Sequence, residues 1–244
     1  MRKIASILLL VCALSALSAG TALSQKKDRQ YFETRGDIVW EIPTEKKEIA
    51  LTFDDGPDPR YTTQIADLLR QYDARATFFV VGSRVKLHPD VVLRLVQEHH
   101  ELANHTYTHP DVSHLSSERL REEVLAAQEA IYESTGVIPR LFRPPGGHYS
   151  ERVVHAAKEA GCLVVMWSWH QDTRDWSDPG VGNIVNKVLQ NARNGDIVLF
   201  HDFGGNRQQT VDALRQILPE LKKRGYRFVT VSELMQNRHK QVGG

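Results

Sequence analysis

Glu48-Ile49-Ala50-Leu51-Thr52-Phe53-Asp54-Asp55-Gly56-Pro57 is the stretch on which the fold and the chemistry of this chain turn. An apolar, β-branched and aromatic run that stops at turn-forming residues reads as a buried strand. Asp, Gly and Pro are turn formers, so the two acids could simply end the strand. They could also be a pair of carboxylates displayed at a strand tip. Neighbouring side chains of an extended chain point to opposite faces. Asp54 and Asp55 therefore reach one site only if the chain is already turning, and Gly56-Pro57 allows that turn.

Outward from this stretch the same pattern recurs. Short apolar runs at 49–53, 76–81, 101–104, 141–143, 162–167, 196–200 and 227–231 are strand candidates. Amphipathic stretches at 63–72, 90–99, 117–134, 151–160, 182–193 and 211–224 are helix candidates, and a last short helix is expected from Ser232. Gly161, Gly195 and Gly225 each follow a helical stretch and precede a strand, the position favoured by a left-handed helix end. Strand–helix alternation repeated this often implies parallel strands with crossover helices. Counting alone leaves a closed barrel and an open sheet both possible. Asp54-Asp55, His105, Arg143, Asp172 and His201 all fall at or just after strand ends, the ligand-binding face of such folds. Bringing five strand tips to one point is easiest in a closed barrel, here of about seven parallel strands with outer helices.

The chain has 244 residues, 41% hydrophobic and 25% charged, which suits one large domain. Its first residues differ from the rest. Arg2 and Lys3 precede an apolar run over 4–17, and Ala22-Leu23-Ser24 forms a small-x-small site. That order is expected of a secretory signal peptide over 1–24, with an uncleaved anchor as the alternative. The run is shorter than the roughly 20 residues of a membrane span. Removing 1–24 takes away Arg2 and Lys3 and no acid, which turns the net charge from +1 to −1. No basic patch points to nucleic acid. Only Cys162 remains after cleavage, and it reads as a buried small hydrophobe. Residues 25–47 read as a linker or an arm packed on the domain, 48–238 as the main domain and 239–244 as a tail.

Four further stretches carry chemistry. His105-Thr106-Tyr107-Thr108-His109 places two histidines four apart, on one face if the backbone makes a helical turn. Together with a carboxylate from elsewhere they could bind one metal ion and leave a position for water; two solvated loop histidines are the alternative. Arg143-Pro144-Pro145-Gly146-Gly147 is a rigid turn whose N–H groups could form an oxyanion hole, or merely a strand end. Asp172-Thr173-Arg174-Asp175-Trp176 offers two acids that could equally be caps. Leu199-Phe200-His201-Asp202 puts a histidine at a strand tip. His170 could lie near the same site.

Taken in order, these five motifs resemble the polysaccharide deacetylase family, the carbohydrate esterases of family 4 that share a domain with rhizobial chitooligosaccharide deacetylase. The resemblance runs from about residue 48 to 235. It implies a distorted (β/α) barrel, usually of seven strands. By the same resemblance, Asp55, His105 and His109 would bind one divalent metal ion, commonly zinc, with cobalt or a similar ion as the alternative. Asp54 would be the general base and His201 the general acid. Arg143 would hold Asp54, and Asp175 would orient His201. Trp176 and Leu199 would wall the acetyl-methyl pocket. Gly146 stands where the family commonly has Tyr; its main-chain N–H would still donate to the oxyanion. Glycines are also common in the family where His99 and Ala103 stand.

The expected activity is hydrolysis of N-acetyl groups on a polysaccharide. Peptidoglycan N-acetylglucosamine ranks first because an exported bacterial-type protein meets it first. Chitin or chitooligosaccharide follows, then acetylated xylan, then a non-catalytic glycan-binding protein. A small-molecule amidohydrolase is disfavoured because the chain has no His-x-His. A monomer without stable membrane insertion is expected.

Overall fold

The structure is a computed structural model and describes residues 28–242, with side chains to residue 237. The signal-peptide stretch 1–24 lies outside the described residues. No helix among the described residues is long and apolar enough to cross a membrane.

In chain order the elements are α1 (Arg29–Thr34), β1 (Ile38–Val39), β2 (Glu48–Asp54), α2 (Tyr61–Gln71), β3 (Thr77–Val80), α3 (Gly82–Leu87), α4 (Pro89–Gln97) and β4 (Glu101–Asn104). Then follow α5 (Ser117–Thr135), β5 (Leu141–Phe142), α6 (Glu151–Glu159), β6 (Leu163–Val165), α7 (Val181–Asn191), β7 (Ile197–His201), α8 (Gln208–Lys223), β8 (Arg227–Phe228) and α9 (Val231–Val242). Seven strands lie side by side in the order β1-β6-β5-β4-β3-β2-β7, all parallel, and β8 pairs with the start of β2. The expected number of strands in the barrel wall is met with a different membership. β1 takes a place in it, and β8 is displaced to the bottom.

The sheet curls until its edges nearly meet. Between β1 and β7 the ladder is replaced by separate bonds. Ile42 N–H donates to Gly195 O at 2.9 Å and Ser168 N–H to Ile197 O at 3.0 Å. The Ser168 hydroxyl accepts from Ile197 N–H at 3.1 Å, and Asp172 forms an isolated bridge with Leu199. The distortion of the barrel lies here. A Cβ on Gly195 would fall 1.9 Å from Ile42 O, so this crossing requires glycine.

Every residue of β2 is buried, as both faces of a parallel strand must be. Ile49, Leu51 and Phe53 pack outward with Leu69 of α2 and with Leu214 and Leu218 of α8. Ala50 faces inward with Phe79, Ala103, Leu141, Val165 and Ile197, and Leu234 of α9 belongs to the same inner cluster. Thr52 and Asp54 continue that inward set by alternation. The outer helices start and stop where caps allow: Ser116 and Ser150 accept from Arg119 N–H and Val153 N–H.

Residues 28–47 are woven into the fold rather than laid across it. Trp40 is fully buried, and its ring meets Tyr149 edge to face at 5.2 Å. Phe32 of α1 packs against the same tyrosine at 5.6 Å. At the other end α9 continues to Val242, through most of the stretch that the sequence reads as a tail. Trp40→Ala is expected to lower stability by about 3–5 kcal/mol, as for other large buried aromatics, measured by urea unfolding. A loss under about 1 kcal/mol would mean that the arm is not part of the core.

Candidate active site

The inward alternation of β2 delivers Asp54 to the top of the barrel, and β7 sets His201 beside it in register. The strand then breaks. Asp55 has φ 79°, a left-handed conformation that turns its carboxylate back toward the same cleft. Asp202 supports that turn. Its buried carboxyl accepts from Gly56 N–H at 3.0 Å and from the Thr62 hydroxyl at 2.5 Å. Burial pushes Asp202 up to about 7. A Cβ on Gly56 would overlap this carboxyl.

Arg143 is fully buried beneath Asp54. One Nη1 reaches Asp54 Oδ1 at 2.7 Å and the Thr52 hydroxyl at 2.9 Å. Nε and Nη2 donate to the carbonyls of Val165 and Met166 at 3.0 and 2.6 Å, and the guanidinium lies 3.9 Å from the centre of the Phe79 ring. One carboxylate oxygen of Asp54 is thereby fixed.

The two histidines of the 105–109 stretch reach Asp55 without the helical turn that their spacing invites. Thr106 and His109 have φ 66° and 60°, so the segment is a strained loop. Glu123 of α5 holds it, accepting from Tyr107 N–H, Thr108 N–H and the Thr108 hydroxyl at 2.8–3.0 Å. Asn104 Oδ1 accepts from Thr106 N–H at 2.9 Å. Within this loop His105 Nδ1 lies 2.7 Å from Arg143 O. A carbonyl only accepts, so Nδ1 carries a proton, and Nε2 is the ring atom that faces Asp55.

Asp55 Oδ1 lies 3.4 Å from His105 Nε2 and 3.0 Å from His109 Nε2. Lone pairs facing a carboxylate at these distances need a proton or a cation between them. Ligand atoms 2.0–2.1 Å from a tetrahedral ion are about 3.3–3.4 Å apart, close to the separations found. One carboxylate oxygen and two imidazole nitrogens are a fitting donor set for one divalent ion. Burial opposes ionisation of Asp55, but the two imidazoles overcome it and hold its carboxyl far below the usual range.

Across the cleft, His201 Nδ1 bonds Asp175 Oδ1 at 2.7 Å. The other Asp175 oxygen accepts from His201 N–H at 2.9 Å and the Thr210 hydroxyl at 2.7 Å. Asp175 is fully buried in a short turn between two left-handed residues, Arg174 and Asp178. Burial opposes the charge on His201, yet Asp175 and the acids opposite raise its pKa to about 9. Asp54, Asp55, His105 and His109 line one cleft with His201, about 330 Å³ in volume; Gly146, Trp176 and Leu199 line it as well. Trp176 is half exposed at its mouth and Leu199 is buried in its wall. His170 stands elsewhere, bonded to Asp196 at 2.9 Å. Cys162 is buried, and its thiol is pushed up to about 11, as an inert residue should be.

Sequence reasoning misses the supports of this site. Glu123 is legible in retrospect as an acid among the buried positions Leu120, Val124 and Ala127 of α5. Asp202 sits in a quoted motif without an assigned role. Arg84, which donates to Asp55 O, and Trp167, which lines the cleft, carry no local signal.

The folded pKa of His201 lies above its ordinary 6.5. The His201–Asp175 pair therefore stabilises the fold fully below about pH 6.5, and its contribution is lost as pH rises through about 9. In metal-free protein the His201 imidazole is expected to titrate near 9 by NMR, and Asp175→Asn is expected to bring it down by at least one unit. Titration near 6.5 in the unsubstituted protein would contradict the pairing.

The profile of the polysaccharide deacetylase family matches residues 41–165. The chain is 54% identical to a peptidoglycan-N-acetylglucosamine deacetylase of Bacillus cereus, over 86% of this chain and 99% of that one. It is 40% identical to a chitooligosaccharide deacetylase of Bradyrhizobium, over 77% of this chain and 90% of that one. Among solved structures, the Bc1960 peptidoglycan N-acetylglucosamine deacetylase superposes with a TM-score of 0.79 at 36% identity, covering 83% of this chain and 94% of that one. With the five motifs gathered at one end of the barrel and these similarities along nearly all of the described chain, the protein belongs to the polysaccharide deacetylase family.

Proposed function

We propose that the protein is a metal-dependent hydrolase that removes N-acetyl groups from polysaccharide, with the N-acetylglucosamine of peptidoglycan as first substrate. One observation carries the reading: a restrained carboxylate and a histidine set to be protonated face each other across a three-ligand donor set. Asp55, His105 and His109 would hold the ion, zinc by the nitrogen-and-oxygen character of the set. A divalent cation there supplies Lewis-acid chemistry, making water acidic near neutral pH and polarising the acetyl carbonyl.

The chain's own groups divide the proton transfers. Asp54, with one oxygen held by Arg143, presents the other to take a proton from the attacking water. The Gly146 N–H, at the lip of the cleft, donates to the oxygen that becomes negative as the carbonyl is attacked. An amine leaves poorly unless protonated, and His201 supplies that proton. Asp175 keeps the ring charged and aimed through Nδ1, so Nε2 is the donor. Trp176 and Leu199 enclose the acetyl methyl. Chitooligosaccharide is the second substrate, favoured by the Bradyrhizobium relative; acetylated xylan comes third.

We place the protein outside the cytoplasm, secreted or associated with the cell wall, on the basic, apolar and small-residue order of 1–24. An uncleaved anchor is the alternative. In either case it is expected to act as a monomer.

Acetate release tests the activity. The mature chain with zinc is expected to release acetate from peptidoglycan glycan strands and from chitooligosaccharide. Chelation should abolish release, and added zinc should restore it. Unchanged release after complete metal removal would overturn the reading, and binding without release across these glycans would make the protein a glycan-binding one.

A further inference from the structure

The edge strands β1 and β7 are joined by separate bonds rather than a ladder, and a second set of metal-ligating side chains meets at that seam. Glu41 follows β1 and precedes Ile42, whose N–H donates to Gly195 O. His170 lies in the short turn after β6, two residues past Ser168, whose N–H donates to Ile197 O. Asp196 stands between Gly195 and Ile197, just before β7. One ligand atom from each of the three lies within 4.8 Å of the others.

Asp196 is buried, and its two oxygens have different surroundings. Oδ2 accepts from the Gln171 side-chain amide at 2.9 Å and from Arg193 N–H at 2.8 Å. Oδ1 faces His170 Nε2 at 2.9 Å. Among the described residues no Lys or Arg side chain pairs with Asp196, and His170 is its ion-pair partner. A buried carboxylate is costly without a cation beside it. Arg29 does not meet that need. Its guanidinium, 5.3 Å from the centre of the Trp40 ring and 5.0 Å from that of Trp169, bonds both Glu41 at 3.1 Å and Glu33 at 2.7 Å. One positive charge therefore already serves two acids.

A further observation at the seam points to a ligand. Gln171 is fully buried, and its Oε1 has no hydrogen-bond partner among the described residues. This acceptor belongs to the amide whose nitrogen is bonded to Asp196, so it sits beside the three ligands. An unsatisfied buried acceptor costs about 1–3 kcal/mol unless a donor reaches it. A water held by an ion at the seam is such a donor. Glu41 also lines a cleft of about 640 Å³ together with Arg29, Leu163 and Met235, which gives an ion a path from solvent.

We propose that Glu41, His170 and Asp196 form a second, structural site for a divalent cation, which clamps the two edges of the barrel together. One imidazole nitrogen and two carboxylate oxygens suit a borderline ion such as zinc. The ion takes the place of a proton between His170 Nε2 and Asp196 Oδ1, and the imidazole keeps its other proton on Nδ1. The half-buried Glu41 side chain closes on it from β1, and Gln171 Oε1 accepts from a water on the ion. The site takes no part in the proposed acetyl chemistry, and it stabilises the fold in proportion to its occupancy.

Zinc bound per chain, counted by competition with a chelator, tests the site by difference. His170→Ala and Glu41→Gln are each expected to bind one zinc fewer than the wild type and to release acetate at saturating zinc at an undiminished rate. Zinc at about a hundred times its Kd for the site should raise the Tm of the wild type by about 5–10 °C more than that of either variant. Glu41→Gln keeps the size of a half-buried side chain, so it reads the site even if His170→Ala fails to fold. Equal zinc content in the wild type and the variants, or equal Tm shifts, would overturn the site and leave a proton between His170 and Asp196. One zinc in the wild type and none in the variants would keep this site and overturn the metal reading of the reaction cleft. No zinc in the wild type would overturn both.

Discussion

A guanidinium without water holds the top of this barrel together. Arg143 gives its N–H groups to one charged partner, Asp54, and to three neutral oxygens on β2, on β6 and just past it. Burial disfavours its charge, and Asp54 offsets that penalty. Removing either partner of such a pair typically costs about 3–5 kcal/mol, because the other is left charged and buried. The pair therefore fixes the mutual positions of β2, β5 and β6 at the end where the site is built. It also ties one oxygen of Asp54 into the fold, and the other is the one proposed to act as base. The Arg143 carbonyl sets the tautomer of His105, so one residue orients both the proposed base and a proposed metal ligand.

Strain gathers around this centre. Asp55, Thr106 and His109 are left-handed residues with side chains, and Arg174 and Asp178 bracket Asp175 in the same conformation. Each costs free energy and persists only where its surroundings overdetermine it. The surroundings are visible: Asp202 under Gly56, Glu123 under the 105–109 loop, Thr210 and His201 on Asp175. Two acids adjacent in sequence thus reach one cleft because the strand ends between them.

Much of this was legible in the sequence. The strands of the barrel wall from β2 to β7 follow from apolar runs bounded by turn residues, and their tips name the groups that meet in the cleft. What escaped has physical reasons. β1 is two residues long, and the apolar run Ile38-Val39-Trp40 that carries it is too short to show a period. It is a strand because it pairs in parallel with Val164 and Val165 of β6. α3 is six residues long, too short for an amphipathic signal. The loop geometry at 105–109 depends on Glu123, which is distant in sequence and reaches the loop only through tertiary folding. The spacing of His105 and His109 therefore pointed to a pair that does meet at Asp55, for a reason that the backbone does not use.

We propose separate tasks for the neighbours Asp54 and Asp55, and that division is the central claim. Zinc affinity of Asp54→Asn and Asp55→Asn, measured by competition with a chelator alongside acetate release, tests it most directly. The account predicts that Asp55→Asn loses zinc affinity about a hundredfold or more, whereas Asp54→Asn stays folded, keeps zinc within about tenfold and loses turnover by at least about a hundredfold. Equal loss of zinc in both variants, or undiminished turnover in Asp54→Asn, would contradict it.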